Sequence, residues 1–233
     1  MNILMINGTM RRQSTYNIGR MLIDNIAGEN DTVTELFLPE AMPHFCVGCA
    51  QCIMAGEDKC PHYDYVSKIE EKMNEADLMV FTTPVFVFHC SGQMKALLDH
   101  FGYRWMVHRP LESMFKKQAV VITTAAGGGM KSAARDISHS FTYWGVGKIY
   151  AYKKAVGAAS WSDVSQKKRD IISVEIKSLS DKINKHSQNV KPSLFTRLFF
   201  TLMAKLHKKS YCQTDDLYWK RLGWTNGKKP WKS

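Results

Sequence analysis

No apolar run in the 233 residues is long enough to cross a bilayer: the longest candidate, Leu194–Leu206, spans 13 residues and is amphipathic. A transmembrane helix is therefore not expected. The Gly-Lys-Ser/Thr of a Walker A loop is missing, and Gly8 has no glycine two or five positions on, so the GxGxxG fingerprint of a dinucleotide crevice is missing too. The first residues show no basic segment, long apolar core or small-residue cleavage site, so no secretory leader is expected and the cytoplasm is the expected location. Helix-turn-helix, finger and RNA-binding signatures are absent, and no nucleic-acid partner is expected despite the net charge of +11. Acidic residues are scarce in one region only. Residues 190–233 hold 10 Lys/Arg against 2 Asp/Glu, whereas residues 1–189 hold 22 against 19. The basicity belongs to the tail, as a solvated or partner-facing surface.

What is present is an alternation of short β-branched runs with longer segments of helical period, the mark of a parallel sheet covered on both faces. Strands are expected at Asn2–Asn7, Thr32–Leu38, Leu78–Thr83, Ala119–Thr124 and Lys148–Tyr152. Helices are expected at Tyr16–Ala27, at Tyr63–Asn74, after an N-capping Ser91, from near Met130, and from Ser162 or Asp163 to His186. The fold class is α/β: a doubly wound five-stranded parallel sheet of order 2-1-3-4-5. Residues 1–190 are expected to form this domain, and 191–233 a basic amphipathic helical extension. The extension would pack back on the domain or on a second subunit, where its apolar helix could complete a shared site.

In such a sheet ligands bind beyond the carboxyl ends of the strands, and three loops there have unusual compositions. The first, Asn7 to Tyr16, offers Thr9, Ser14 and Thr15 hydroxyls, the Arg11 guanidinium and free amides at a helix N-terminus, which is what a phosphate requires. It can equally be a polar turn with Arg11 and Arg12 solvated. The second, Thr83 to Gly92, breaks a strand with Pro84 and presents Phe86 and Phe88, a surface for a flat tricyclic ring unless both rings are core. The third, Thr124-Ala125-Ala126-Gly127-Gly128-Gly129, leaves its backbone open to close approach, or is a flexible turn.

Together these segments resemble the flavodoxin-like NAD(P)H-dependent FMN reductase family. There, a Gly-Ser-x-Arg-x-x-Ser loop binds the flavin phosphate, and Ser-Pro-x-Tyr followed by Ser-Gly-x-x-Lys-x-x-x-Asp lines the ring. Here the motifs read Gly8-Thr9-Met10-Arg11-Arg12-Gln13-Ser14, Thr83-Pro84-Val85-Phe86, Ser91-Gly92-Gln93-Met94-Lys95 and Asp99. The likeness covers about residues 1–155, and the tail more loosely. It implies a flavodoxin-like fold holding FMN with Gly8, Thr9, Met10, Arg11, Ser14, Thr15 and Tyr16, with Pro84, Val85, Phe86, Val87 and Phe88, and with Ala125, Gly127 and Gly128. Phe86 stands where the family has Tyr, so this position offers no hydroxyl proton. The activity implied is hydride transfer from NAD(P)H to the flavin and then to a small-molecule or protein acceptor, in a homo-oligomer. His89 and Arg104 lie nearby in sequence, and no catalytic residue is assigned.

Cys46, Cys49, Cys52 and Cys60 read C-x2-C-x2-C-x7-C followed by Pro61, close to ferredoxin spacing but with a longer last gap. The pattern also resembles the iron–sulfur flavoproteins of the same fold family, which implies a [4Fe-4S] cluster passing single electrons to FMN. A carrier reduced by a protein partner is then the rival function. Tetrahedral zinc and simple free or paired thiols are the other readings of these four residues. Cys90 and Cys212 read as ordinary buried or surface cysteines.

Overall fold

Alternation along the strands decides which helices cover which side of the sheet. The structure, a computed structural model, describes residues 1–232. In chain order it contains β1 (Asn2–Asn7), α1 (Ser14–Ile26), β2 (Thr32–Phe37), the short α2 (Leu38–Ala41) and α3 (Gln51–Met54), and α4 (Tyr63–Glu75). Then come β3 (Leu78–Pro84), α5 (Gly92–His100), β4 (Gln118–Ala125), α6 (Met130–Tyr143), β5 (Lys148–Ala155), α7 (Gln166–His186), α8 (Leu194–Lys208) and α9 (Gln213–Arg221). The five strands are parallel in the order β2-β1-β3-β4-β5, as the sequence suggests.

Leu4, Ile6, Met79, Phe81 and Val121 pack with Val66, Ile69 and Met73 of α4, Met94 and Leu97 of α5, and Ile137 and Phe141 of α6. The alternate residues Ile3, Met5, Val80, Val120 and Ile122 pack with Ile18, Leu22 and Ile23 of α1 and Ile172, Ile176 and Ile183 of α7. Burial on both faces accounts for the continuous apolar run of β3. β5 continues three residues past the expected end, through Lys153 and Lys154, because it pairs only with β4 and its other edge tolerates lysine. α7 begins at Gln166, later than expected, because Ser160 Oγ bonds Asp163 Oδ2 at 2.5 Å and Ser162 Oγ at 2.9 Å in a separate turn.

The tail builds a third core. Phe200, Met203, Ala204, Trp219 and Trp224 close around Met106 and Phe115, with Trp231 against the same cluster. Phe115 lies just before β4, so α8 sits at the strands' amino-terminal edge, opposite the ligand edge of its own chain. The tail packs back on its own domain, because its aromatic side chains find their apolar partners at the far end of the sheet.

Candidate functional site

A cleft opens beyond the carboxyl ends of β1, β3, β4 and β5. Of the residues expected there, Thr9, Arg11, Ser14, Thr15, Pro84, Val85, Phe86 and Ala125 line it. Gln13, Thr124, Ala126, Val156, Ala158 and Ala159 line it as well. Those after β5 went unread, although an edge strand ending there and the small residues Gly157-Ala158-Ala159 were the available signal. The turn after β5 also closes on the first loop: Arg11 donates to the Ala159 carbonyl at 3.3 Å, and the Trp161 amide to Gln13 Oε1 at 2.7 Å.

The amino end of α1 leaves its donors open to the cleft. Its capping position, Gln13, supplies no side-chain cap, and no acid occupies the first turn. The leading amides therefore keep their donors and the positive end of the helix dipole. Ser14 is buried, yet its Oγ has no hydrogen-bond partner, an expensive arrangement unless something enters the cleft. Thr15 Oγ1 pairs with Thr124 Oγ1 at 2.5 Å, tying the first loop to the end of β4.

Other expected residues stand around this cleft without lining it. Gly8 lies under Ser91, whose Oγ donates to the Gly8 carbonyl at 2.7 Å; a Cβ on Gly8 would come within 2.6 Å of that oxygen. Ser91 also caps α5 by accepting from the Met94 amide, as expected, and its own amide donates to Thr83 Oγ1 at 2.9 Å. One serine thus couples the ends of β1 and β3. The ring of Tyr16 is turned away: its hydroxyl donates to Glu35 Oε2 at 3.1 Å and its face stacks on Phe37, leaving only its backbone amide toward the loop. Met10, Gly127 and Gly128 are exposed nearby.

Phe86 and Phe88 are not core residues. They are 46% and 67% exposed, Phe86 opening and Phe88 lying within a tight turn closed by paired bonds between Phe86 and His89. Val87 and Phe88 both take positive φ, at 48° and 65°, a conformation β-branched and aromatic residues seldom adopt. Strain of this kind gathers at binding sites. Gly129, at φ 86°, makes room for the turn, since a Cβ there would meet Val85 Cγ1 at 2.7 Å. His89 pairs with Asp136 at 3.1 Å on the surface, whereas Arg104 is buried against Glu70.

The cysteine segment lies on the flank covered by α4 and α5. Cys46 and Cys49 are exposed, Cys52 and Cys60 half-buried. Left-handed Gly48 and Ala50 wind the chain between them. Burial pushes the Cys52 thiol up, and the charges of Cys60, Cys46 and Cys49 push it further; burial also raises Cys60, with Cys46 and Cys49 adding to it. Arg109 anchors the segment by donating to the carbonyls of Cys52 and, at 3.2 Å, Ile53, and is itself held by Asp215 from α9.

Comparison with known proteins agrees with this architecture. The model of the NADPH-dependent FMN reductase family matches residues 1–160. An iron-sulfur flavoprotein of Methanocaldococcus jannaschii is 29% identical over 147 residues, which cover 60% of this chain and 72% of that protein. An azoreductase from Bacillus anthracis superposes with a TM-score of 0.62 at 15% identity, over 78% of this chain and 99% of its own. An FMN-dependent NADH-azoreductase from the same species, in complex with FMN, gives 0.58 at 11% identity, over 78% and 99%. At those identities the two structures speak for the flavodoxin-like fold alone. With more than half its length matched by the family model, the chain belongs to the NADPH-dependent FMN reductase family.

Proposed function

We propose that this protein is an FMN-dependent NAD(P)H oxidoreductase whose cleft seats the flavin phosphate at the start of α1. The observation that carries this reading is the buried, unpartnered Ser14 Oγ beside uncapped helix amides and Arg11. Thr9, Ser14 and Thr15 would hold the phosphate with hydroxyl and amide donors, and Arg11, now spending one donor on a single carbonyl, would neutralise it. Gly8, Met10 and the backbone of Tyr16 complete that loop. Pro84, Val85, Phe86, Val87, Phe88, Ala125, Gly127 and Gly128 would border the ring.

FMN supplies the redox chemistry, taking a hydride from the nicotinamide and giving electrons to an acceptor. The chain's own part is to bind, orient and shield. Phe86 offers apolar surface and no proton, so proton delivery at this position falls to solvent or substrate. The pyridine nucleotide and a small-molecule or protein acceptor share the one cleft in turn. Stopped-flow mixing of the flavin-loaded protein with NADPH and with NADH tests this: rapid bleaching by either supports the reductase.

A second reading has its own observation, the four cysteines carried by one segment, two exposed and two half-buried. With a [4Fe-4S] cluster on Cys46, Cys49, Cys52 and Cys60, the protein would be an electron carrier reduced by a protein partner. Flavin that neither nucleotide bleaches, together with bound iron and sulfide, selects it. A homo-oligomer is part of the proposal in either case; the exposed Leu194, Leu198 and Leu202 of α8 offer the apolar surface, and sedimentation of the full chain measures it.

A further inference from the structure

The cysteine motif leaves two histidines unexplained. Cys60 ends the loop before α4, His62 precedes the first residue of α4, and His100 is the last residue of α5. Cys60 Sγ and one ring nitrogen from each histidine lie within 4.8 Å of one another. His62 Nδ1 and His100 Nε2 are 2.9 Å apart. The half-buried Cys60 and the buried His100 place the cluster in the wall between the two helices, and the ring of His44 stacks on His62 at 4.5 Å, nearly parallel.

The bonds behind the cluster fix its donors. His100 Nδ1 is 2.7 Å from the Ala96 carbonyl, which can only accept, so Nδ1 carries the hydrogen and Nε2 presents a lone pair to the cluster. A histidine ligand commonly has this support, its second nitrogen bonded to a backbone carbonyl. Cys60 Sγ in turn accepts the backbone amide of His62. Two adjacent imidazole nitrogens and a cysteine sulfur, with the outer bond of His100 already made, are a ligand set for a borderline-soft divalent ion. Tetrahedral zinc with Zn–N of about 2.0–2.1 Å needs ligand nitrogens roughly 3.3–3.4 Å apart, so these would separate by only about half an ångström.

We infer that Cys60, His62 and His100 form a mononuclear transition-metal site of the zinc class, distinct in its ligands from a four-cysteine centre. Three protein ligands leave the fourth position to water, the open coordination of zinc sites that do chemistry. On binding, the proton of His62 moves from Nδ1 to Nε2 and Nδ1 takes the metal; the Cys60 thiol releases its proton to solvent. Cys60 belongs to this site or to the four-cysteine set, and the remaining ligands tell the two apart. The proposal is independent of the flavin reading.

The test is X-ray absorption on the full-length protein loaded with one equivalent of Zn²⁺, with Co²⁺ as the optical probe. One sulfur and three nitrogen or oxygen neighbours are expected; four sulfurs, or no retained metal, overturn the site. Among variants, His62→Ala and His100→Gln should each weaken Zn²⁺ retention by on the order of 100-fold, while Cys46→Ser and Cys49→Ser change it less than about threefold. The opposite pattern assigns the metal to the cysteines alone and rejects the proposal. Far-ultraviolet circular dichroism and thermal melting check that each variant folds, and the wild-type absorption result stands even if His100→Gln does not.

Discussion

Ser14 carries a liability in the free protein that, on the proposed function, bound FMN would relieve. A buried hydroxyl without a partner costs about 1–3 kcal/mol, and a hydrogen bond to a charged group returns about 1.5–3 kcal/mol. Ser14→Ala should therefore raise the melting temperature of flavin-free protein while weakening FMN binding by about tenfold to a hundredfold, read by flavin fluorescence titration. Unchanged affinity would remove Ser14 from the phosphate seat. Cys90 behaves in the other direction. Burial, with the charge of Asp136 adding to it, pushes its thiol up to about 12, so the protonated form persists to that pH and the thiolate is negligible at pH 8. In metal-free, reduced protein, iodoacetamide at pH 8 should label the exposed Cys46 and Cys49 and spare Cys90, as peptide mass spectrometry will reveal.

Among the elements, α9 reaches the cysteine segment through one fully buried ion pair. Asp215 holds Arg109 and, at 2.8 Å, His108 Nδ1; Arg109 holds the Cys52 and Ile53 carbonyls; Thr214 Oγ1 donates to the Met54 carbonyl at 2.9 Å. Breaking a buried pair from one side costs about 3–5 kcal/mol where the charge is left alone; Glu57, 3.3 Å from Arg109, remains here, so the lower part of that range applies. Asp215→Ala is expected to lower stability by roughly that amount in urea titrations, and to speed alkylation of Cys52 relative to Cys46. A loss of stability without the change at Cys52 would mean that the brace does not reach the cysteines. This coupling was not legible beforehand, because 106 positions separate Arg109 from Asp215 and neither belongs to a motif. The helix caps and stripes were legible, because Ser91 and the spacing of Met94, Leu97 and Leu98 act over a single turn.

At the scale of the molecule, the chain carries one sheet with two covered faces and a separate aromatic core built by the tail. Met106 and Phe115, fully buried now, would face water without residues 191–233. Removing the tail uncovers this core, and stabilities shift by about 2–4 °C per kcal/mol in chains of this size. A 1–190 fragment should melt at least about 10 °C lower than the full chain and bind a hydrophobic dye; a fragment as stable as the whole would mark the tail as an independent appendage. The charge of the tail is compatible with this role, since its other lysines are exposed and the half-buried Lys229 lies over the Phe200 ring, while Phe200, Trp219 and Trp224 point inward.

The sequence by itself determined the sheet, its order and the position of the loop after β1, because periodicity and the right-handed crossover are local rules that leave few topologies for five alternating strands. It also marked the cysteines, whose spacing is a property of one short loop. Only the tertiary structure decided that Phe86 and Phe88 face outward, that the turn after β5 closes the cleft, and that His100 of α5 meets Cys60 and His62. Those outcomes depend on pairs distant along the chain, brought together when both faces of the sheet are covered, and no local pattern encodes them.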